Sequence, residues 1–237
     1  MDITILAVSK RLNGVCIAGV NNGRWIRSVK KEELMLDDIK IHNGYITALN
    51  TYDFHLLKRV PVQCQSENYL IDESWQIRHK SSLVDNEKRR LFQALCENSL
   101  IIPNKNIIAD ILKARNRSLI MLGPAVIHNA YFHKEDGKMK APEIMFSVND
   151  LPIKGIKDSL LCTDLKFWAF AKSLLNHRNT DSILLDGNEL KRILGFDKAY
   201  IIIGLTKLHK GINWPMIIGI HTLPDYNLVY SKHSPGV

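Results

Sequence analysis

Asn13-Gly14 and Asn22-Gly23 constrain this chain more than any other feature, because each one separates two short aliphatic runs near the start. Asn-Gly supplies the positive φ angles that tight hairpin turns demand, so residues 3–9, 15–20 and 24–29 read as a three-stranded antiparallel meander. Short strands continue beyond it. Residues 52–60 are strand-like, and Pro61 confines residues 62–71 to a sheet edge or the start of a strand. Residues 117–132 form another strand-like run around Gly123-Pro124, and Asp136-Gly137 marks a hairpin before Ile144-Met145-Phe146. Residues 199–206 and 214–222 form the last hairpin.

Helical signals are fewer. Leu83, Leu91, Phe92 and Leu95 share a face within residues 83–99, while Glu87 and the cations from Lys88 to Arg90 cover another. Thr163 or Asp164 caps a helix through Asn176, and residues 187–194 form a short helix ended by Gly195. The charged residues 30–43 read as a loop or short helix. The expected class is therefore mainly β with helices (α+β), built as two small barrels and not as a parallel α/β sheet. Pro103-Asn104 sets the division: 1–103 holds a barrel with a connecting helix, and 104–237 holds a barrel with inserted helices.

With 46% hydrophobic and 24% charged residues, the 237-residue chain has the composition of a folded globular protein. The apolar stretch of residues 1–20 is cut by Lys10 and Arg11, unlike a secretory signal, which points to the cytoplasm and to no membrane partner. Cys16, Cys64, Cys96 and Cys162 lie far apart without CxxC pairs, so no zinc and no cofactor is expected, and Cys16 and Cys162, in apolar runs, read as buried thiols. The net charge of +8 favours polyanionic partners. Lys and Arg exceed Asp and Glu throughout, by 14 to 12 in residues 1–100, 7 to 5 in 101–150 and 11 to 7 in 151–237, so folding must assemble any cationic patch.

The stretch Val8-Ser9-Lys10-Arg11-Leu12-Asn13-Gly14 has a counterpart near the end, Leu205-Thr206-Lys207-Leu208-His209-Lys210-Gly211. Both pass from an aliphatic run through Ser or Thr, then Lys, to a basic tip closed by Gly. A second aliphatic run with its own glycine, Gly19 or Gly219, follows each tip. Glycine inside such a strand permits the bend of a tightly coiled barrel strand, where a Cβ would crowd its neighbour.

The opening ILAVSKRLNGVCIAGV with Gly23-Arg24-Trp25-Ile26-Arg27, the stretch from Gln65 to Ile71 and the closing IIGLTKLHKGINWPMIIGI together resemble bacterial proteins described as dual OB domain-containing. That resemblance implies two OB-like barrels and a role in nucleic-acid binding. It carries no catalytic residues with it.

OB barrels bind single strands with a basic groove and stacking rings. On a strand, Trp25 and Arg27 share one face and Arg24 and Ile26 the other. Trp25 and Arg27 either stack a base and pair a phosphate, or fill the barrel interior and cover its rim. Lys10, Arg11, Lys207, His209 and Lys210 sit at hairpin tips, either touching a ligand or as solvated turn charges. Asn68 and Tyr69 have the chemistry to read and stack a base; the alternative for Glu67, Asn68 and Tyr69 is a structural hydrogen-bond cluster closing the barrel. Asp186, Glu189 and Lys191 include the groups of a magnesium nuclease, but their spacing is that of a helix cap at Asp186 with Glu189 as its capping-box partner. His128 and His133, five apart, would fall on opposite strand faces. The expected function is non-catalytic binding of single-stranded or structured nucleic acid. The competing class is a protein-interaction subunit that docks onto a larger nucleic-acid-processing or defence complex.

Overall fold

The computed structural model describes residues 1–42, 44–97, 105–149, 151–153, 159–208, 211–226 and 228. Residues 103–104, His209 and Lys210 lie outside them. The expected meander forms: β1 (Asp2–Arg11), β2 (Gly14–Asn21) and β3 (Arg24–Val29) pair antiparallel. Asn22-Gly23 supplies the positive φ angles of the second turn (47° and 75°), but in the first turn Gly14 already pairs with Arg11 and the left-handed position falls on Leu12 (φ 40°) instead of Asn13-Gly14. A 3-10 turn at Leu36–Ile39 and a small hairpin, β4 (Lys40–Ile41) with β5 (Gly44–Tyr45), occupy the charged stretch. Then come β6 (Asn50–Asp53), β7 (Leu56–Arg59), β8 (Asn68–Ile71) and β9 (Arg78–Ser82), giving the sheet order β7-β8-β3-β2-β1-β6-β9. Of the two places expected after Pro61, a sheet edge or the start of a strand, the edge is not what residues 68–71 take. Pro61 falls before β8, which lies between β7 and β3 and runs parallel to β3.

Helices α1 (Asp85–Leu95) and α2 (Lys105–Ala114) precede β10 (Leu119–Glu135), a single 17-residue strand that continues through Gly123-Pro124 with a register shift. One edge of β10 pairs with β12 (Glu143–Val148). Its other edge pairs first with β16 (Lys198–Leu205) and then with β15 (Ser182–Asp186). The remaining strands are β11 (Lys138–Met139) on β10, β13 (Leu151–Ile153) and β14 (Leu160–Leu161) on β12, and β17 (Pro215–Leu223) on β16. Helix α3 (Leu165–His177) is capped by Asp164, which accepts the Lys166 N–H at 2.9 Å. Helix α4 (Gly187–Leu194) ends at Gly195 in the left-handed conformation (φ 67°).

The repeated stretches are two hairpins that each carry one bulge, on the leading strand in the first and on the trailing strand in the second. Ile5 faces Gly19 and Ala7 faces Ala18, so Leu6 is bulged; Ile202 faces Gly219 and Ile203 faces Ile217, so Ile218 is bulged. Each glycine thus sits beside a bulge, where the strands draw together. A Cβ on Gly19 would lie 2.4 Å from the Thr4 carbonyl, and one on Gly219 would lie 3.0 Å from the Leu6 carbonyl.

That second approach crosses between the two sheets. Thr163 joins them: its carbonyl accepts the Lys10 N–H and its own N–H donates to Ile217, both at 2.7 Å. The pairings around it, antiparallel from Ser9 to Asp164 and parallel from Cys162 to Ile217, set β1 antiparallel to β17 across one intervening strand segment.

Packing is shared in the same way. Ile3, Ile5, Ile17, Ile26 and Phe54 form the first core, to which α3 contributes Leu165 and Ala169. Phe132, Phe146, Phe167 and Phe170 centre the second, which takes Cys64 from the first half. A third cluster lies between the sheets and holds Leu6, Val20, Phe92, Met121, Tyr200 and Ile202. Full burial of each such side chain contributes roughly 1.5–3 kcal/mol, so this layer adds to what holds the halves together.

Candidate functional site

Alternation along β2 and β3 decides what the candidate residues face. Ile17 and Ile26 point into the first core, so Ala18, Val20 and Trp25 point out of it. An OB fold presents this outer face, with its adjoining loops, to oligonucleotides. Here the second sheet covers it: Trp25 is half-buried against the inter-sheet clusters that contain Leu119, Met121 and Tyr200.

Arg27, on the same face, is 8% exposed. Its guanidinium donates to Ser118 Oγ at 2.8 Å and lies 3.8 Å from Glu67, whose carboxylate also accepts the Ser118 N–H and hydroxyl. Asn68 is 2% exposed, with its amide on Gln65 Oε1 at 3.4 Å, while Gln65 Nε2 donates to the Leu205 carbonyl at 3.1 Å. Tyr69 is half-buried against the first core. Of the two readings offered for each, the arrangement of Arg27, Glu67 and Asn68 is that of a buried structural cluster. A charge enclosed between two sheets needs a carboxylate more than it can spare itself for a ligand.

The hairpin tips are placed differently. Because β1 runs antiparallel to β17, the β1–β2 and β16–β17 tips leave the joined sheets at the same end. Lys10 and Arg11 are half-buried and Lys207 is exposed there. The Lys10 ammonium stands 4.9 Å over the Trp168 ring, and burial lowers its pKa. Arg11 lies 3.9 Å from Glu33; Lys207 has no ion-pair partner among the described residues. The Leu208 N–H donates to Gln63 Oε1 at 2.9 Å, anchoring the second tip to the first half. Arg24 sits at the β2–β3 turn, at the opposite end of β2, and does not join this group.

Residues 1–153 match the family model described as dual OB-containing domain, which is more than half of the 237 residues. The chain belongs to this family. The match takes in the whole first sheet of the dual OB protein and reaches β13 of the second. In the first sheet β1, β2, β3, β6 and β8 give the five-stranded Greek-key arrangement of an OB barrel. No curated protein matches the chain.

The remaining candidates of this dual OB protein have local partners. Asp186 caps α4 by accepting the Glu189 N–H at 2.8 Å, as the spacing predicts. The Glu189 carboxylate does not reach back to complete a capping box; it accepts from Arg178 at 2.8 Å. The expected opposition of His128 and His133 is also corrected. A register shift between Ile127 and Asn129 leaves His128 bulged and exposed, so both rings lie outside the second core, with His128 on Ser147 and His133 stacked on Tyr131 at 4.9 Å. Among the described residues no three His, Cys, Asp or Glu side chains converge as a metal site, and no helix is long and apolar enough to cross a membrane.

Two buried titratable groups sit at the seam between the sheets. Asp164 Oδ2 accepts the Ile220 N–H at 2.7 Å; burial pushes its pKa up to about 6 against the pull of those backbone donors. His221 Nε2 donates to the carbonyl of the bulged Leu6 at 2.7 Å, and burial lowers its pKa to about 4. Neither pairing was visible in sequence, since 215 residues separate Leu6 from His221.

Proposed function

We propose that this dual OB protein binds nucleic acid with the end of the molecule that carries both hairpin tips, and not with the β2–β3 face. The observation that carries this reading is the common direction of the two tips, which gathers Lys10, Arg11 and Lys207 from opposite ends of the chain. Family membership and the net charge of +8 support it. The covered β2–β3 face supports this choice, because Met121, Tyr200 and Ile202 pack in the layer against it.

Oligonucleotide binding measured across a salt series tests the proposal. Affinity should fall steeply with salt, and Arg11→Ala with Lys207→Ala should reduce the slope of log K against log salt by about 0.7–0.9 for each phosphate left without its cation. Binding that ignores salt, or a double variant with an unchanged slope, would remove the tips from the interface.

A further inference from the structure

The two tips carry a second feature that solvated turn charges do not explain. Leu12 is 80% exposed and holds a left-handed backbone (φ 40°) at the β1–β2 turn. Asn, Asp or Gly adopts that conformation at lower cost, and an exposed leucine recovers nothing by burial. On the other tip Leu208 and Ile212 are 50% and 47% exposed. Each tip thus presents an aliphatic side chain beside its cation, Leu12 after Arg11 and Leu208 after Lys207. Local strain and solvent exposure at one residue point to a use for the side chain, since neither the fold nor solubility gains from it.

The rings of this end are arranged otherwise. Trp168 is 5% exposed beneath Lys10, and Trp214 is half-buried. An unstacked single strand needs open ring faces on which bases can lie. Aliphatic wedges suit the opposite case, a stacked helix in which an apolar side chain enters between two base steps while cations hold the flanking phosphates.

We propose that Leu12 and Leu208 are wedges that enter between stacked bases of a duplex or hairpin nucleic acid, with Lys10, Arg11 and Lys207 on the neighbouring phosphates. This rests on the tip-end binding described above and narrows it to base-stacked substrates.

The test uses the full chain and duplex oligonucleotides that carry 2-aminopurine at successive positions, whose fluorescence rises when its step unstacks. Wild-type binding should raise the signal at discrete positions. The variant Leu12→Asn/Leu208→Asn should lose that rise and bind the duplex about tenfold more weakly, while keeping the wild-type salt slope. Asparagine suits the left-handed turn, so the thermal midpoint should not fall and misfolding cannot account for the loss. Duplex bound by the wild type without any rise, or a variant that unstacks as the wild type does, overturns the wedges and leaves the cationic interface standing. Failure to bind any oligonucleotide overturns both. A variant that loses only its binding to phosphatidylserine vesicles, with duplex binding intact, assigns the leucines to a membrane surface and overturns the proposal.

Discussion

His221 and Asp164 show how much a single residue at the seam decides. Asp164 holds its proton to about pH 6 in the folded chain against an ordinary value of 3.8, so between these values the folded state binds the extra proton and stability falls as pH rises. His221 behaves in the opposite sense. Its folded value of about 4 lies below the ordinary 6.5, so the unfolded state binds the extra proton and stability rises across that window, being lost again as pH falls toward 4. Each effect is on the order of 3 kcal/mol, and they oppose one another between about pH 4 and 6. Denaturant titrations of the wild type should therefore change little over that range. His221→Gln keeps a donor for the Leu6 carbonyl and removes the titration, so its stability should fall steadily from pH 4 to 6. A variant as flat as the wild type would mean that the two groups do not titrate in this way.

At the scale of elements, the bulged hairpins fix both curvature and close approach. Gly19→Ala places a Cβ 2.4 Å from the Thr4 carbonyl and 2.9 Å from Ile3 Cγ2, atoms of a paired strand that cannot move aside. It should cost more than about 3 kcal/mol or abolish folding. Gly219→Ala, whose nearest atom is the Leu6 carbonyl at 3.0 Å, should cost clearly less. Equal destabilisation of the two variants in urea melts would show that the tight approach at Gly19 is not what that glycine serves.

Much of this level was legible in sequence. The Asn22-Gly23 turn, the caps at Asp164 and Asp186 and the left-handed Gly195 are local chemistry, and each appears where the residues place it, whereas the first turn puts its left-handed backbone on Leu12 and not on Asn13-Gly14. The direction of a strand face was not legible. Arg24-Trp25-Ile26-Arg27 alternates as a half-exposed strand does, and nothing local tells that the face of Trp25 and Arg27 meets a second sheet. A signal did exist in β2 and β16, which carry apolar residues on both faces, the mark of strands covered on both sides. Glu67 as the partner of Arg27 was beyond reach, because a pair 40 residues apart leaves no periodic trace.

The whole molecule should behave as one cooperative body. Cores that exchange Cys64 and α3 side chains, with a third apolar layer between the sheets, leave neither half with its own complete interior. Unfolding followed by tryptophan fluorescence and by far-ultraviolet circular dichroism should give coincident single transitions, with Trp25 on one side of the seam and Trp168 and Trp214 on the other. Two separated midpoints would show that the barrels stand independently.

The strand segment around Thr163 also dictates an order of events during synthesis. The first hairpin leaves the ribosome well before the backbone that borders Lys10 and the Ile217 strand behind it. Until then Ala18, Val20 and Trp25 form an oily, unshielded surface on the nascent chain. Production of this protein in cells should accordingly depend on holding chaperones during that interval.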